Sequence, residues 1–191
     1  MSRKKEAMEE MDAQDAPGET PQVPAAVRRA QGLMEVGKHG EAVEEFHVYL
    51  NEHPQDVDAL LGLGSSLLAL GRFEAAEKEL RRALRVAPSN AEVHYKLGNA
   101  LLKRGVYDSA ASELRKVVSI DAEHSHAYQL LGEALNQLGD PQGAVQALEH
   151  AVRIDPENSK AYYAMGIAYD RMALPGRAAE MYRQARALSG K

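Results

Sequence analysis

The sequence predicts an all-α fold built from five consecutive units of 34 residues, each consisting of a helix, a tight turn and a second helix. Three observations support this prediction. Small and large residues recur in register when the chain is compared with itself at a shift of 34 positions. Apolar residues inside each unit follow helical spacing, and Gly or Pro lies at the predicted helix ends.

Four columns of residues carry the repeat. Two columns hold small residues, namely Ala30, Gly64, Gly98, Gly132 and Gly166, and Ala42, Ala76, Ala110, Ala144 and Ala178. Two columns hold large residues, namely Phe46, Leu80, Leu114, Leu148 and Tyr182, and Leu33, Leu67, Leu101, Leu135 and Tyr169. Because small residues let two helices approach closely and large residues fill the space beside them, we expect these columns to form the helix contacts.

Unit two illustrates how the residues of one repeat specify its two helices. The apolar face of the first helix consists of Leu60, Leu63, Gly64 and Leu67, and that of the second helix of Ala76, Leu80 and Ala83. Gly71 lies between the two helices, where a chain leaving a helix often needs a positive φ. Pro88 then ends the second helix.

The same pattern sets the predicted boundaries of the units, which are 23–56, 57–90, 91–124, 125–158 and 159–191. Unit one has Arg29 where later units carry Leu or Met, which suits an end unit with one face toward water. Pro141 and Pro175 open the second helices of units four and five, a position where Pro is tolerated.

Residues 1–22 do not follow the repeat. They are mostly polar, and Ala16-Pro17-Gly18 and Pro21 interrupt regular structure, so we predict a disordered N-terminal tail. As an alternative, Lys5 to Met11 could form a short helix that docks into the protein's own groove.

Composition and charge exclude several classes of function. The net charge of −5 does not favour nucleic-acid binding, and the absence of Cys excludes disulfides and thiolate metal sites. No apolar run of about 18 residues is present, so we expect no membrane insertion. Acidic residues rather than an apolar stretch follow Ser2-Arg3-Lys4-Lys5, which argues against a signal peptide and makes the cytoplasm the expected location.

The unit length, the Leu-Gly pairs, the Ala column and the closing Pro resemble the tetratricopeptide repeat. The pairs are Leu63-Gly64, Leu97-Gly98 and Leu131-Gly132, and the resemblance covers residues 23–191. It implies a right-handed superhelical α-solenoid whose first helices line a concave groove and whose second helices lie outside. It also implies a scaffold or adaptor that holds a peptide or helix of another protein.

No motif in the sequence predicts catalysis, a cofactor or a metal site. The segment Gly62-Leu63-Gly64-Ser65-Ser66 lacks the Lys of a phosphate-binding loop and lies inside a predicted helix. His124 and His126 could offer two metal ligands, but a structural site normally closes with four, so we interpret both as surface residues. We therefore expect the protein not to be an enzyme.

Candidate binding residues lie on the stripe of each first helix beside the core stripe, at i, i+4 and i+7. With Lys96 and Lys103, which neighbour this stripe, the predicted groove residues are Val27, Gln31, Leu61, Ser65, Tyr95, Lys96, Asn99, Lys103, Gln129, Glu133, Asn136, Tyr163, Ile167 and Asp170. An apolar floor with scattered amides suits a bound helix or extended peptide. The alternative is that Met34, Leu68 and Leu102 on this stripe only pack between neighbouring first helices.

These residues favour a non-catalytic adaptor with a protein or peptide partner. Two alternatives remain. Residues 1–56 carry a net charge of −6 and residues 159–191 one of +4, so opposite ends could attract in a head-to-tail homo-oligomeric scaffold. A chaperone-binding carboxylate clamp, as in some members of the family, has only Lys96, Asn99 and Lys103 as comparable residues.

Overall fold

The computed structural model describes residues 23–190 of the 191-residue chain. Those residues form ten α-helices and no β-strand, which confirms the predicted all-α repeat fold. The predicted tail at residues 1–22, including the alternative helix from Lys5 to Met11, lies outside the described residues.

The helices alternate between the first and the second helix of each unit. In chain order they are α1 (Ala25–Glu35), α2 (His39–Glu52), α3 (Val57–Ala69), α4 (Phe73–Val86), α5 (Ala91–Lys103), α6 (Tyr107–Ile120), α7 (Ser125–Leu138), α8 (Pro141–Ile154), α9 (Ser159–Arg171) and α10 (Pro175–Ser189). Each of the five predicted units therefore contains one helix pair.

Capping side chains fix where the first helices of units two, three and five begin. Asp56 accepts a hydrogen bond from the backbone N–H of Ala59 (2.9 Å), and Asn90 accepts one from Val93 (3.1 Å). Asn158 does the same for α9, accepting from the N–H of Ala161 at 3.0 Å. Because each cap satisfies a backbone donor that the helix leaves free, it specifies the start of the helix.

A residue in the left-handed backbone conformation connects the first helix of each unit to the second. Gly71 has φ +71°, and the equivalent glycines of units one, three and four have φ between +75° and +78°. This confirms the turn predicted from Gly71. In unit five the equivalent residue is Ala173, which adopts φ 57° despite its Cβ atom.

The small column packs against the large column in units two to five, as predicted. A Cβ atom placed on Gly98 would lie 2.7 Å from Cγ of Leu114, and one on Gly132 would lie 2.4 Å from Cγ of Leu148. The paired helices therefore approach too closely for any side chain at these positions. Gly62, one of the glycines that resemble a phosphate-binding loop, instead packs against the ring of Phe46 from the preceding unit.

The first helices form a continuous inner layer. Each first helix contacts the first helix of the next unit, so that α1 contacts α3, α3 contacts α5, α5 contacts α7 and α7 contacts α9. Each second helix packs against the first helix of the next unit, whereas within residues 23–190 the second helices stay apart from one another. Because the first helices of neighbouring units approach each other and the second helices do not, the first helices lie on the concave side of the right-handed superhelix.

Candidate protein-binding groove

The concave side holds a cavity of about 770 Å³, here called the inner cavity. Its lining residues come from units three, four and five and are Leu102, Lys103, Tyr107, Glu133, Asn136, Gln137, Ser159, Lys160, Tyr163, Ala164, Ile167, Tyr182, Ala185, Arg186 and Ser189. Its volume lies within the range of about 300–1,000 Å³ that is usual for ligand sites in proteins.

An apolar floor and an aromatic wall give the inner cavity its shape. Leu102, Ala164 and Ile167 supply apolar surface from α5 and α9. Tyr163 is 58% exposed, and the centroid of its ring lies 5.5 Å from that of Tyr182 on α10. A large aromatic side chain that stays this exposed on a concave surface is typical of a contact point for a partner.

A hydrogen bond between the two helices of unit five holds the aromatic wall in place. The hydroxyl of Tyr182 donates to Oδ2 of Asp170 at 2.7 Å. Burial, followed by this hydrogen bond and the negative charge of Asp170, raises the pKa of Tyr182 to about 12. The phenol therefore stays protonated and keeps donating at neutral pH.

Asn136 connects two first helices at the edge of the inner cavity. Its Nδ2 donates to the backbone carbonyl of Ala164 at 2.9 Å, which joins α7 to α9. Its Oδ1, like the Oδ1 of Asn99, is buried and has no hydrogen-bond donor within residues 23–190. Buried polar atoms normally have a partner, so these two acceptors stand out.

Five of the predicted groove residues line the inner cavity, namely Lys103, Glu133, Asn136, Tyr163 and Ile167. Asp170 is exposed on α9 beside it and accepts the hydrogen bond from Tyr182. The structure thus brings together some of the predicted residues of units three to five, and none of those of units one and two.

The remaining predicted residues lie elsewhere. Val27 is only 1% exposed and belongs to the hydrophobic core, so its prediction as a groove residue is corrected. Gln129 is 5% exposed, and its Nε2 donates to Oε1 of Glu133 at 2.8 Å. Gln31 is exposed, whereas Leu61, Ser65, Tyr95, Lys96 and Asn99 are half-buried and do not line the inner cavity.

The three residues considered for a carboxylate clamp do not converge on the inner cavity. Nζ of Lys96 forms an ion pair with Glu92 at 3.2 Å and lies 5.4 Å from the ring centre of Tyr95. Asn99 is half-buried outside the inner cavity, and only Lys103 lines it.

Sequence reasoning missed the contribution of the second helix of unit five. Tyr182, Ala185, Arg186 and Ser189 of α10 line the inner cavity, although second helices were expected to lie outside. The sequence does contain one indication of this contribution, because Tyr182 places a hydroxyl group in a column that otherwise holds Phe or Leu.

The structure also places the residues considered for other functions. Nδ1 of His124 accepts a hydrogen bond from the backbone N–H of Ala127 at 3.2 Å and thereby caps α7. Within residues 23–190, no three His, Asp or Glu side chains gather in a metal-binding arrangement. No helix in this part of the chain is long and apolar enough to cross a bilayer.

Comparison with known proteins identifies the repeat. A family model described as tetratricopeptide repeat matches residues 27–91, 62–123 and 95–159, which together span more than half of the chain. No curated protein sequence matches the chain.

Solved structures of MamA are similar in fold. MamA from Desulfovibrio magneticus RS-1 (residue 41 to the end) is 26% identical, with a TM-score of 0.79 over 86% of this chain and 93% of its own. A MamA structure from AMB-1 is 24% identical, with a TM-score of 0.79 over 87% and 99% of the two chains. The chain therefore belongs to the tetratricopeptide repeat family and is a protein-interaction module of that family.

Proposed function

We propose that the inner cavity binds a peptide or helix of a partner protein, and that the protein acts as a non-catalytic adaptor. The observation that carries the proposal is the exposed ring of Tyr163 in a cavity of about 770 Å³ on the concave side. Partner side chains that cover this ring and the apolar floor would remove apolar surface from water, which is the main driving force of association.

Two interhelical hydrogen bonds support the proposal because they make the inner cavity rigid. The bond from Tyr182 to Asp170 joins α9 to α10, and the bond from Asn136 to Ala164 joins α7 to α9. A surface that is already ordered before binding loses little conformational entropy when the partner arrives. We also propose that residues 23–191 act as one binding domain with the unit boundaries given above.

Site-specific photo-crosslinking in cell lysate tests the proposal. A benzophenone amino acid replaces Tyr163 in one variant of the full chain and Val48 in a control variant. Val48 is 68% exposed on α2 and lies outside the inner cavity, so it matches Tyr163 in exposure but not in place. We expect discrete crosslinked proteins only from position 163, and loss of these products when Ile167→Asp is added. Identical products from positions 163 and 48 would contradict groove binding.

A self-assembling scaffold is a second candidate, favoured by the charges of the end units. Residues 23–56 hold three Lys or Arg and six Asp or Glu, whereas residues 159–190 hold five and two. Opposite charges on opposite ends favour head-to-tail association. Light scattering at rising protein concentration distinguishes this candidate, since head-to-tail association predicts a molar mass that grows with concentration and shrinks with added salt.

A further inference from the structure

We infer that the segment bound in the inner cavity is acidic, with several carboxylate side chains along its length. This inference rests on the proposed function and specifies the chemistry of the partner.

The inner cavity is rich in basic side chains. Lys103, Lys160 and Arg186 all line it, and all three side chains are exposed. None of the three forms an ion pair or a side-chain hydrogen bond with any other residue of 23–190. Glu133 is the carboxylate among the lining residues, and it already accepts the hydrogen bond from Gln129. The inner cavity therefore carries a positive charge that the protein itself does not neutralise.

Several basic side chains of units two and three are paired with carboxylates. Arg104 pairs with Glu74 at 3.1 Å, Arg81 with Glu77 at 2.8 Å, and Lys116 with Glu113 at 3.0 Å. Unpaired cations gathered around one cavity instead create a local positive potential, which attracts and orients an anionic partner.

The three cations are spread widely around the inner cavity. The three cations come from three helices, since Lys103 ends α5, Lys160 lies in α9 and Arg186 lies in α10. A single terminal carboxylate would meet only part of a set of cations that spans units three and five. A segment with several carboxylate side chains along its length matches the set better.

A selection experiment on the full-length protein tests the inference. A library of random peptides is displayed inside a longer polypeptide, so that no peptide has a free carboxyl terminus. The targets are the unchanged protein, the variant Lys103→Glu/Lys160→Glu/Arg186→Glu, and a control variant with the same net charge, Arg28→Glu/Lys78→Glu/Arg115→Glu. The control residues are exposed and do not line the inner cavity. Circular dichroism melting establishes that each variant is folded.

We expect the peptides enriched on the unchanged protein to contain more Asp and Glu than the starting library. The best of them should bind the cavity variant about tenfold more weakly, and the control variant within about twofold of the unchanged protein. Enriched peptides without an acidic excess, or equal loss of binding to both variants, would overturn the inference.

A further target, the variant Tyr163→Ala/Ile167→Asp, tests the proposed function separately in the same experiment. If peptides are enriched on the unchanged protein and not on this target, but carry no acidic excess, groove binding stands and only the acidic preference fails. If this target enriches the same peptides as the unchanged protein, both ideas fail.

Discussion

Nδ1 of His94 on α5 lies 2.6 Å from Oε2 of Glu113 on α6. The other ring nitrogen, Nε2, lies 2.9 Å from the backbone carbonyl oxygen of Pro88 in the loop before α5, and since a carbonyl only accepts, Nε2 donates. His94 as a whole is 4% exposed. One buried side chain therefore joins both helices of unit three to the connection from unit two.

Replacing His94 by Leu should lower the free energy of unfolding by roughly 2–3 kcal/mol. The change removes both hydrogen bonds of the buried ring, which leaves the carbonyl of Pro88 without this donor and the carboxylate of Glu113 with Lys116 alone. Urea unfolding followed by circular dichroism measures the effect. His47→Leu is the control, since His47 is exposed on α2. Equal stability of the two variants would show that the His94 contacts contribute nothing.

Replacing Gly98 by Leu should destabilise the protein by about 1–3 kcal/mol or more. A Cβ atom at this position would lie 2.7 Å from Cγ of the fully buried Leu114, so the two helices of unit three must separate. Gly32→Leu is the matched control in α1, because nothing lies within 4 Å of a Cβ atom placed there. Thermal melting should therefore give a lower midpoint for the Gly98 variant than for the Gly32 variant. The reverse order would refute close packing at Gly98.

Replacing Ala173 by Gly should stabilise the protein by about 0.5–1 kcal/mol. Ala173 adopts φ 57°, where the four equivalent residues are glycines, and a Cβ atom is unfavourable in that conformation. The gain is reduced because Gly has more conformational freedom in the unfolded chain. Ala187→Gly in the exposed face of α10 should instead cost about 1 kcal/mol. Chemical denaturation of both variants tests this, and a loss of stability in the Ala173 variant would be the contrary result.

Tyr182 should make stability fall at alkaline pH. Its pKa is raised from 10.0 to about 12 in the folded protein, so the folded state holds the proton more tightly than the unfolded state. The contribution is complete below pH 10 and is lost as the pH rises toward 12. The decrease in melting temperature between pH 8 and pH 11 should be smaller for Tyr182→Phe than for the unchanged protein. Tyr49 and Tyr95, whose pKa values burial also raises, are present in both proteins. Identical decreases would mean that the hydroxyl of Tyr182 has no such role.

The helices and their contacts could be predicted because the repeat constrains them. The contact between Gly98 and Leu114 follows from two columns that keep one small and one large residue in register. The left-handed turn at Gly71 follows from the residue type alone. Local spacing and residue size determine these features, and both can be read from the chain.

The binding surface was only partly predictable because exposure within one column varies from unit to unit. Val27 is 1% exposed and Tyr163 is 58% exposed, although the two occupy equivalent positions in units one and five. A short branched side chain ends within the core, whereas a tyrosine extends beyond it. The participation of α10 in the inner cavity depends on how the last helix pair packs, which periodicity does not specify.

The way in which neighbouring units contact each other has a mechanical consequence. The inner layer is continuous from α1 to α9, and each outer helix also packs against the first helix of the next unit. Adjacent units cannot swing apart without exposing these packed surfaces to water. A load on one unit is therefore passed to the next, and the width of the concave side is set by packing within the chain itself.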